Sequence, residues 1–302
     1  MSARSRLRRW VAPDGASLAA LLAELGEELP AALAEGRVFV AGRRASLSAA
    51  ALALTAGTVV EAAAARSAPE GTVTLLGEAG GLVAAYKPPA LPTEPDRAGR
   101  ASVRQAVASK LGIAEERLHA CSRLDVGVSG VVLFARTAQA RRAVRAAHDA
   151  GALARHYVAI AQAAPAPPAG AWDAPLGGRA ARTRYALVAR GAGVAPAAPP
   201  SALLAVEPAS GRTHQIRLHA AGAGAPLLGD RAHGGLARIT GASGSVAAIA
   251  RVALHAAWVA LELDGRALRF EAPAPRELAA LWSALSGEPA ALVRALAPLA
   301  RG

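Results

Sequence analysis

The 302-residue sequence contains one cysteine, two lysines and few aromatic side chains. A single thiol, Cys121, excludes an internal disulfide and a multi-cysteine metal cluster, and it is typical of a protein in a reducing cytoplasm. No run reaches the roughly 20 strongly apolar residues that a membrane-spanning helix needs. No apolar segment follows the N-terminal arginines as it would in a signal peptide. We therefore expect a cytoplasmic protein with no membrane partner, whose core relies on Leu, Val and Ala.

Two kinds of ligand-binding motif are also missing. No glycine-rich phosphate loop and no dinucleotide fingerprint follows a predicted strand, which speaks against a nucleotide cofactor. His214 and His219 are the only histidines paired in a compact motif. Five residues apart on a helix, they would point about 140° apart and could not chelate one ion from one face. We expect neither a metal nor an organic cofactor.

The charge is strongly unbalanced. Lys and Arg number 34 against 22 Asp and Glu, which gives a formal net charge of +12. Such an excess attracts polyanions, and nucleic acid is the first candidate. The alternative is that an arginine surplus reflects solubility or a biased genome.

Residues 10–64 are predicted to form a small domain of two short helices (17–25 and 29–34), a strand near Val38, a basic turn and a strand ending at Glu61. This order resembles the αL RNA-binding domain, whose strand and turn read Gly-x-Val-x-Val-Asn-Gly. The matching positions are Gly36, Val38, Val40 and Gly42, with Ala41 in place of Asn. The resemblance implies RNA contacts from Arg37, Arg43 and Arg44. A generic helical cap with a hairpin remains the alternative.

The second predicted domain covers residues 70–288. It contains apolar runs typical of strands and two helices, 102–111 and 138–149, each followed by a glycine stop. A short helix is expected between Thr213 as N-cap and Gly222, and a last helix over 276–285.

Asp125 is a candidate catalytic acid. It lies in a Gly/Ser-rich turn just before the apolar run 131–135, and a loop held by a rigid strand is where catalytic groups tend to lie. Asp in such a turn also often bonds only its own backbone. If Arg217 met Asp125, its guanidinium would keep the carboxylate ionised. Cys121 and Ser122 lack the local signatures of a hydrolase nucleophile, so they are interpreted as turn or core residues.

Several blocks of the sequence resemble, in order, the motifs of the RluA-type pseudouridine synthases, which isomerise uridines in ribosomal and transfer RNA. The matching blocks are Tyr86 to Pro92, Ser122 to Asp125 with Val128 to Gly130, Arg155 to Tyr157, Gly211 to His219, Leu228 to Asp230, and Leu254 to Ala256. The resemblance implies an α+β fold: a catalytic domain with a mixed, mainly antiparallel sheet flanked by helices and loops, plus the small N-terminal domain.

The same resemblance implies roles for single residues. Asp125 would attack the anomeric carbon or remove a sugar proton, Tyr157 would contact the flipped base, and Arg217 would pair with Asp125. Arg123 would fill the gap that the extruded nucleotide leaves in the RNA. Lys87, Arg212 and His214 are further expected RNA contacts, ribosomal RNA is favoured over transfer RNA as the substrate, and a monomer is expected.

The match departs from the family pattern beside the acid. Ser122 stands where His is usual, Val128 where Thr is usual, and Val126-Gly127 replaces the usual pair. An alternative is therefore an RNA-binding protein of the same fold with impaired catalysis that acts in ribosome assembly. A hydrolase using Ser122 or Ser129 is a third hypothesis.

Overall fold

The computed structural model describes residues 8–18, 20, 38–41, 43–45, 53–62, 72–95, 101–195, 198–240 and 246–299. The chain divides into two compact units, Met1–Ala68 and Pro69–Gly302. Most of the helical segment predicted between residues 17 and 34, and Arg37, lie outside the described residues.

The first unit contains a four-stranded antiparallel sheet in the order β1-β4-β2-β3. Its strands are β1 (Arg8–Val11), β2 (Val38–Val40), β3 (Arg43–Arg44) and β4 (Val59–Ala62). Leu18, Val38 and Val60 are completely buried in it. Ala41, between β2 and β3, has a φ of 48°, a left-handed conformation that asparagine tolerates better than alanine.

The second unit is built on a ten-stranded sheet in the order β10-β11-β12-β9-β15-β8-β6-β5, with β16 paired to β15 and β7 to β8. Among the described strand pairs only β15 and β8 run parallel, so the predicted mixed, mainly antiparallel sheet is confirmed. The strands are β5 (Thr74–Ala79), β6 (Leu82–Lys87), β7 (His119–Ala120), β8 (Ser129–Ala135), β9 (Ala154–Ala161), β10 (Ala169–Trp172), β11 (Thr183–Gly193), β12 (Pro200–Pro208), β15 (Leu254–Leu263) and β16 (Arg266–Glu271), with a separate hairpin of β13 (Arg238–Thr240) and β14 (Val246–Ala248).

Five helices of the second unit are described: α1 (Val103–Leu111), α2 (Ala138–Asp149), α3 (Gln215–Gly222), α4 (Arg276–Ala284) and α5 (Pro289–Ala295). Ser102 caps α1 through a reciprocal bond with Gln105, and Thr137 caps α2 by accepting from the backbone of Ala140. None of the described helices is long and apolar enough to cross a membrane.

Alternating strand residues divide the helices between the two faces of the sheet. On β8, Val131 and Leu133 pack with α2, whereas Val132 and Phe134 pack with α1. On β9, the odd positions pack with α3 and the even positions with α4 and α5. One small cavity is lined by α2, β8 and Tyr157 of β9, so α2 and α3 share a face.

Three sequence predictions need correction. Thr213 is not the cap of α3: His214 occupies that position with a φ of 54°, no side chain caps the helix, and Gly222 is its last residue. The strand predicted over residues 54–61, with a turn at Gly57, is limited to the part after that turn, β4 (Val59–Ala62). Helix α5, which begins at Pro289 just past residue 288, was not predicted.

Candidate active site

Asp125 lies on the loop between β7 and β8. Its backbone carbonyl accepts a bond of 2.9 Å from Val128 N, which closes a tight turn before β8. Its carboxylate remains 28% exposed. The next residues enter the sheet at once, and Gly130 has a φ of 127° where a β-carbon would overlap the backbone of Ala256 on the parallel strand β15. Only glycine allows β8 to approach β15 so closely, and this contact fixes the loop that carries the acid.

Arg217 connects Asp125 to a second carboxylate. Its Nη1 donates to Asp125 Oδ2 at 2.8 Å, while Nε and Nη2 donate to the two oxygens of Asp230 at 2.8 and 2.6 Å. The Arg217 side chain is 11% exposed and that of Asp230 is 1% exposed. The sequence-based hypothesis that Arg217 meets Asp125 therefore corresponds to a direct hydrogen-bonded ion pair, which a planar guanidinium fork suits.

Asp230 is a site residue that sequence reasoning noted only as part of a turn. Burial by itself would raise the pKa of its carboxyl, but the hydrogen bonds and charge of Arg217 outweigh that effect and lower it. Bonds to Asp230, and secondarily to Asp125, raise the pKa of Arg217. The sequence signal that could have drawn attention to Asp230 is the glycine before it, Gly229. Its φ is 76°, and a β-carbon there would overlap the Arg251 carbonyl. A turn that only glycine can make thus positions this carboxylate.

His214 stands between the acid and a second histidine. Its Nδ1 lies 2.9 Å from Nε2 of His233, and its Nε2 lies 3.8 Å from Asp125 Oδ2, which is too long for a hydrogen bond. The left-handed backbone of His214 turns the chain into α3. His214 is thus beside the candidate acid, half-buried and able to reach a bound ligand.

Tyr157 on β9 lines the same cleft as Asp125. Its ring is half-buried, and burial is the main reason why the pKa of its phenol is raised; the charge of Arg155 opposes the shift. A raised pKa keeps the hydroxyl protonated, so it can donate a hydrogen bond to a ligand while the ring offers a face for stacking.

The cleft around these residues has an empty volume of about 500 Å³, counting the part open to solvent. Arg123 and Arg212 lie on its wall, Arg123 exposed. Arg212 Nε donates to Ala180 O at 3.2 Å, and its backbone N–H is bound by the side chain of the buried Gln215. The cleft therefore combines one open carboxylate, one phenol and several cations.

Lys87 does not belong to this surface. Its side chain is fully buried, and its ammonium donates to the carbonyls of Pro88, Val126 and Val128 at 3.1, 3.1 and 2.6 Å. Burial, with repulsion from Arg251, lowers the pKa of Lys87 to about 7, although Asp125 opposes the shift. The prediction that Lys87 contacts RNA does not fit this environment, because its ammonium binds Val126 and Val128 in the loop that carries Asp125 and the adjacent carbonyl of Pro88.

Arg251 binds the same loop. Its Nη1 donates to the carbonyls of Val252 and Leu254, with a longer contact to Gly127 O, and its Nη2 donates to Ser129 Oγ at 3.0 Å and to Glu277. Ser129 in turn lies 3.0 Å from His255 Nδ1. Burial lowers the pKa of His255 to about 4, so this ring is neutral at pH 7.

The serine and cysteine nucleophile candidates are all engaged in the structure. Ser129 and His255 are fully buried, out of reach of a substrate. Ser122 Oγ accepts a bond of 3.1 Å from Leu133 N. Burial raises the pKa of Cys121 to about 11, with Arg141 opposing, so its thiol is protonated at pH 7. These environments favour the interpretation of all three as structural residues.

The other predicted site residues are placed as follows. Arg43 and Arg44 form β3 of the first unit, and Arg37 is outside the described residues. Across the described part of the chain, no three His, Cys, Asp or Glu side chains are grouped as metal ligands.

The sequence profile of a family described as RNA pseudouridylate synthase matches residues 81–222. An uncharacterized RNA pseudouridine synthase of Zymomonas mobilis is 30% identical over 208 residues, which cover 63% of this chain and 88% of that protein. A ribosomal large subunit pseudouridine synthase D of Nitrosomonas europaea is 34% identical over 185 residues, or 55% of this chain and 51% of that protein. This match therefore spans about half the length of the Nitrosomonas relative.

Among solved structures, human RNA pseudouridylate synthase domain containing 1 is similar with a TM-score of 0.57 and 17% identity, over 76% of this chain and 96% of that one. Human RNA pseudouridylate synthase domain containing 4 gives a TM-score of 0.55 at 21% identity, over 70% and 92%. These two likenesses concern the fold. Together with the sequence matches and the order of the motifs, they establish that the chain belongs to the RNA pseudouridine synthase family.

Proposed function

We propose that the protein isomerises specific uridines in structured RNA to pseudouridine, with Asp125 as the catalytic carboxylate. In this reaction the bond between C1′ and N1 breaks and a bond between C1′ and C5 forms. The hydrogen on C5 leaves and N1 gains a proton, so atoms balance without an oxidant or cofactor. The observation that most strongly supports this proposal is the ion pair between the accessible Asp125 and Arg217 in an open cleft.

Each cleft residue has a role in this proposal. The Asp125 carboxylate attacks C1′ or removes a sugar proton, and Arg217, itself held by Asp230, keeps that carboxylate in one orientation. Tyr157 contacts the freed uracil while it turns. Arg123 fills the space that the flipped nucleotide leaves, and Arg212 and His214 contact the RNA around it.

Ribosomal RNA is the favoured substrate, since the Nitrosomonas relative carries a ribosomal large subunit name. We place the activity in the cytoplasm, where a lone thiol such as Cys121 stays reduced. We further propose that a monomer suffices and that residues 10–64, with Arg43 and Arg44, add an αL-like contact to RNA.

The hydrogen lost from C5 gives a direct test. RNA carrying tritium at C5 of uridine is transcribed without modifications and incubated with the protein, and tritium released to water is counted. We expect release by the wild type and a fall of roughly 10²–10⁴-fold for Asp125→Asn. Asp264→Asn, at an exposed aspartate in the turn between β15 and β16, is the matched control and retains the wild-type rate.

RNA binding measured on the same variants separates this proposal from its alternative. Asp125→Asn should bind RNA as tightly as the wild type. Wild-type protein that binds ribosomal RNA but releases no tritium from any cellular RNA would instead support a non-catalytic assembly factor, for which Ser122 and Val128 beside the acid are the motivation.

A further inference from the structure

Helix α2 carries two arginines and a histidine along one flank. Arg141, Arg145 and His148 are separated by four and three residues, so they project within about 60° of one another and extend over about 10 Å. The residues that α2 buries are Ala140 and Val144, roughly 60–100° away from the stripe. We call these three side chains the basic stripe.

Both ends of the basic stripe meet the loops of the cleft. At one end, the charge of Arg141 acts on Cys121, four residues before Asp125. At the other end, a β-carbon at Gly211 would lie 3.2 Å from Arg155 Nη1 and 4.0 Å from His148 Nε2. Gly211 and Arg155 both line the cleft, so the stripe begins where the cleft ends.

Arg155 at this junction has unused donors. Its Nη2 bonds Pro208 O at 3.2 Å, but its Nε is buried with no partner among the described residues. A guanidinium left partly unsatisfied beside an open cleft is suited to an anion that arrives with the ligand.

The stripe itself carries little compensating charge. Asp149 is its acidic neighbour, 3.5 Å from Arg145 and 3.3 Å from His148. Arg145 is 83% exposed and Asp149 is 62% exposed, so this pair is solvated and holds Arg145 only weakly. Arg145 can therefore leave Asp149 for a phosphate at small cost.

We infer that the RNA strand flanking the target uridine leaves the cleft past Arg155 and follows the basic stripe of α2, which contacts its phosphates. This surface rests on the proposed function, because it takes RNA as the ligand of the cleft. Phosphate contacts of this kind position the RNA without reading its sequence. The stripe therefore governs affinity and salt dependence and leaves the chemical step unchanged.

The test uses full-length protein and a fluorescent, uridine-rich RNA hairpin. Arg141→Gln/Arg145→Gln removes two charges from exposed helix positions, where glutamine is nearly as good a helix former as arginine. The matched control, Arg266→Gln/Arg276→Gln, removes two exposed arginines from β16 and from α4 on the other sheet face. Anisotropy titrations from 50 to 300 mM salt give the dissociation constant and its salt slope for each protein.

For the stripe variant we expect roughly ten-fold weaker binding and a salt slope smaller by about 1.4–1.8, since each lost phosphate contact removes about 0.7–0.9. Its single-turnover tritium release at saturating protein should equal that of the wild type. The control should change neither slope nor rate. Equal slopes for stripe variant and control would overturn the inference, even with full isomerase activity.

Failure of the proposed function is a different result. If the wild type released no tritium but the stripe variant still lost affinity and slope, the RNA surface would stand and only the isomerase proposal would fall. Vesicles containing one third phosphatidylserine test the other polyanion. A stripe variant that lost vesicle binding while keeping RNA affinity would identify a lipid surface and overturn the inference.

Discussion

Two arginines contact the loop that carries Asp125, and both are 11% exposed. Arg217 directs its donors to carboxylates, two to the buried Asp230 and one to Asp125. Arg251 directs most of its donors to backbone carbonyls and to Ser129, and its one carboxylate partner among the described residues, Glu277, is 42% exposed. We call the first set, Asp125, Arg217 and Asp230, the acid network, and the second, Lys87, Arg251, Ser129 and His255, the loop network.

The acceptors explain what each network does. In the acid network, two carboxylates share one cation, so the three side chains together carry one net negative charge, and Asp125 is their accessible carboxylate. In the loop network, the cations bind no reactive group and instead donate hydrogen bonds to the backbone carbonyls of residues 126–128, which fixes the course of that loop. The acid network therefore serves chemistry, and the loop network serves the position of the loop.

Matched substitutions test this division with the largest expected effects. Arg217→Lys keeps the charge but loses the fork that reaches both carboxylates. We expect the single-turnover rate of tritium release to fall roughly 100-fold, while the free energy of unfolding falls by only about 1–2 kcal/mol.

Arg251→Lys should show the reverse balance. Several acceptors lose their donors, so we expect a loss of about 2–3 kcal/mol in the free energy of unfolding measured in urea. The rate of the folded fraction should stay within about five-fold of the wild type. Similar rate losses in both variants would contradict the division into two networks.

The two lysines offer the next comparison. Lys87→Met removes one hydrogen bond from each of three carbonyls, of which Val126 O keeps its bond from Ala90 N, and we expect the free energy of unfolding to fall by about 2–3 kcal/mol. Lys110→Met, at an exposed position of α1, should change it by less than about 0.5 kcal/mol. RNA affinity of the folded protein should be unchanged by Lys87→Met; a specific loss of affinity at unchanged stability would restore the original prediction that Lys87 binds RNA.

The lowered pKa of Lys87 predicts a pH dependence. Between pH 7 and about 10.5, the unfolded chain binds more protons at this residue than the folded protein, so the free energy of unfolding rises with pH. Relative to Lys87→Met, the wild type should gain up to about 1.4 kcal/mol per pH unit in that window. Urea unfolding of both proteins from pH 6.5 to 9 measures this. A constant difference would mean that the three carbonyls hold the ammonium charged throughout.

The networks also differ in how far the sequence predicted them. The ordered motifs predicted that Arg217 would pair with Asp125, 92 residues away, and local capping signals predicted α1 and α2 well. The burial of Lys87 was not predictable, because a lysine at a strand end before two prolines looks the same whether it points outward or into a loop 39 residues later. Such contacts depend on tertiary packing, which cannot be predicted from local sequence patterns.

The left-handed His214 shows a second limit. Thr213 is the better capping residue by type, so sequence reasoning chose it. The structure instead turns at His214 and places its ring between Asp125 and His233. Residue propensities disfavour a left-handed backbone at a histidine. Such strain is tolerated at functional sites, and His214 lies beside the candidate catalytic acid.

Ser129→Ala gives the smallest expected effect and separates the loop network from a hydrolase site. Geometrically, Ser129 and His255 form a hydroxyl–imidazole pair at 3.0 Å, as a serine nucleophile would require. However, both are fully buried, and Arg251 donates to the same hydroxyl oxygen that would have to attack. Removing the hydroxyl should cost about 1 kcal/mol of unfolding free energy and leave tritium release within about two-fold. A serine-reactive phosphonate should label neither wild type nor variant, whereas labelling lost in Ser129→Ala would mean that the pair opens to solvent and that Ser129 acts beyond the loop network.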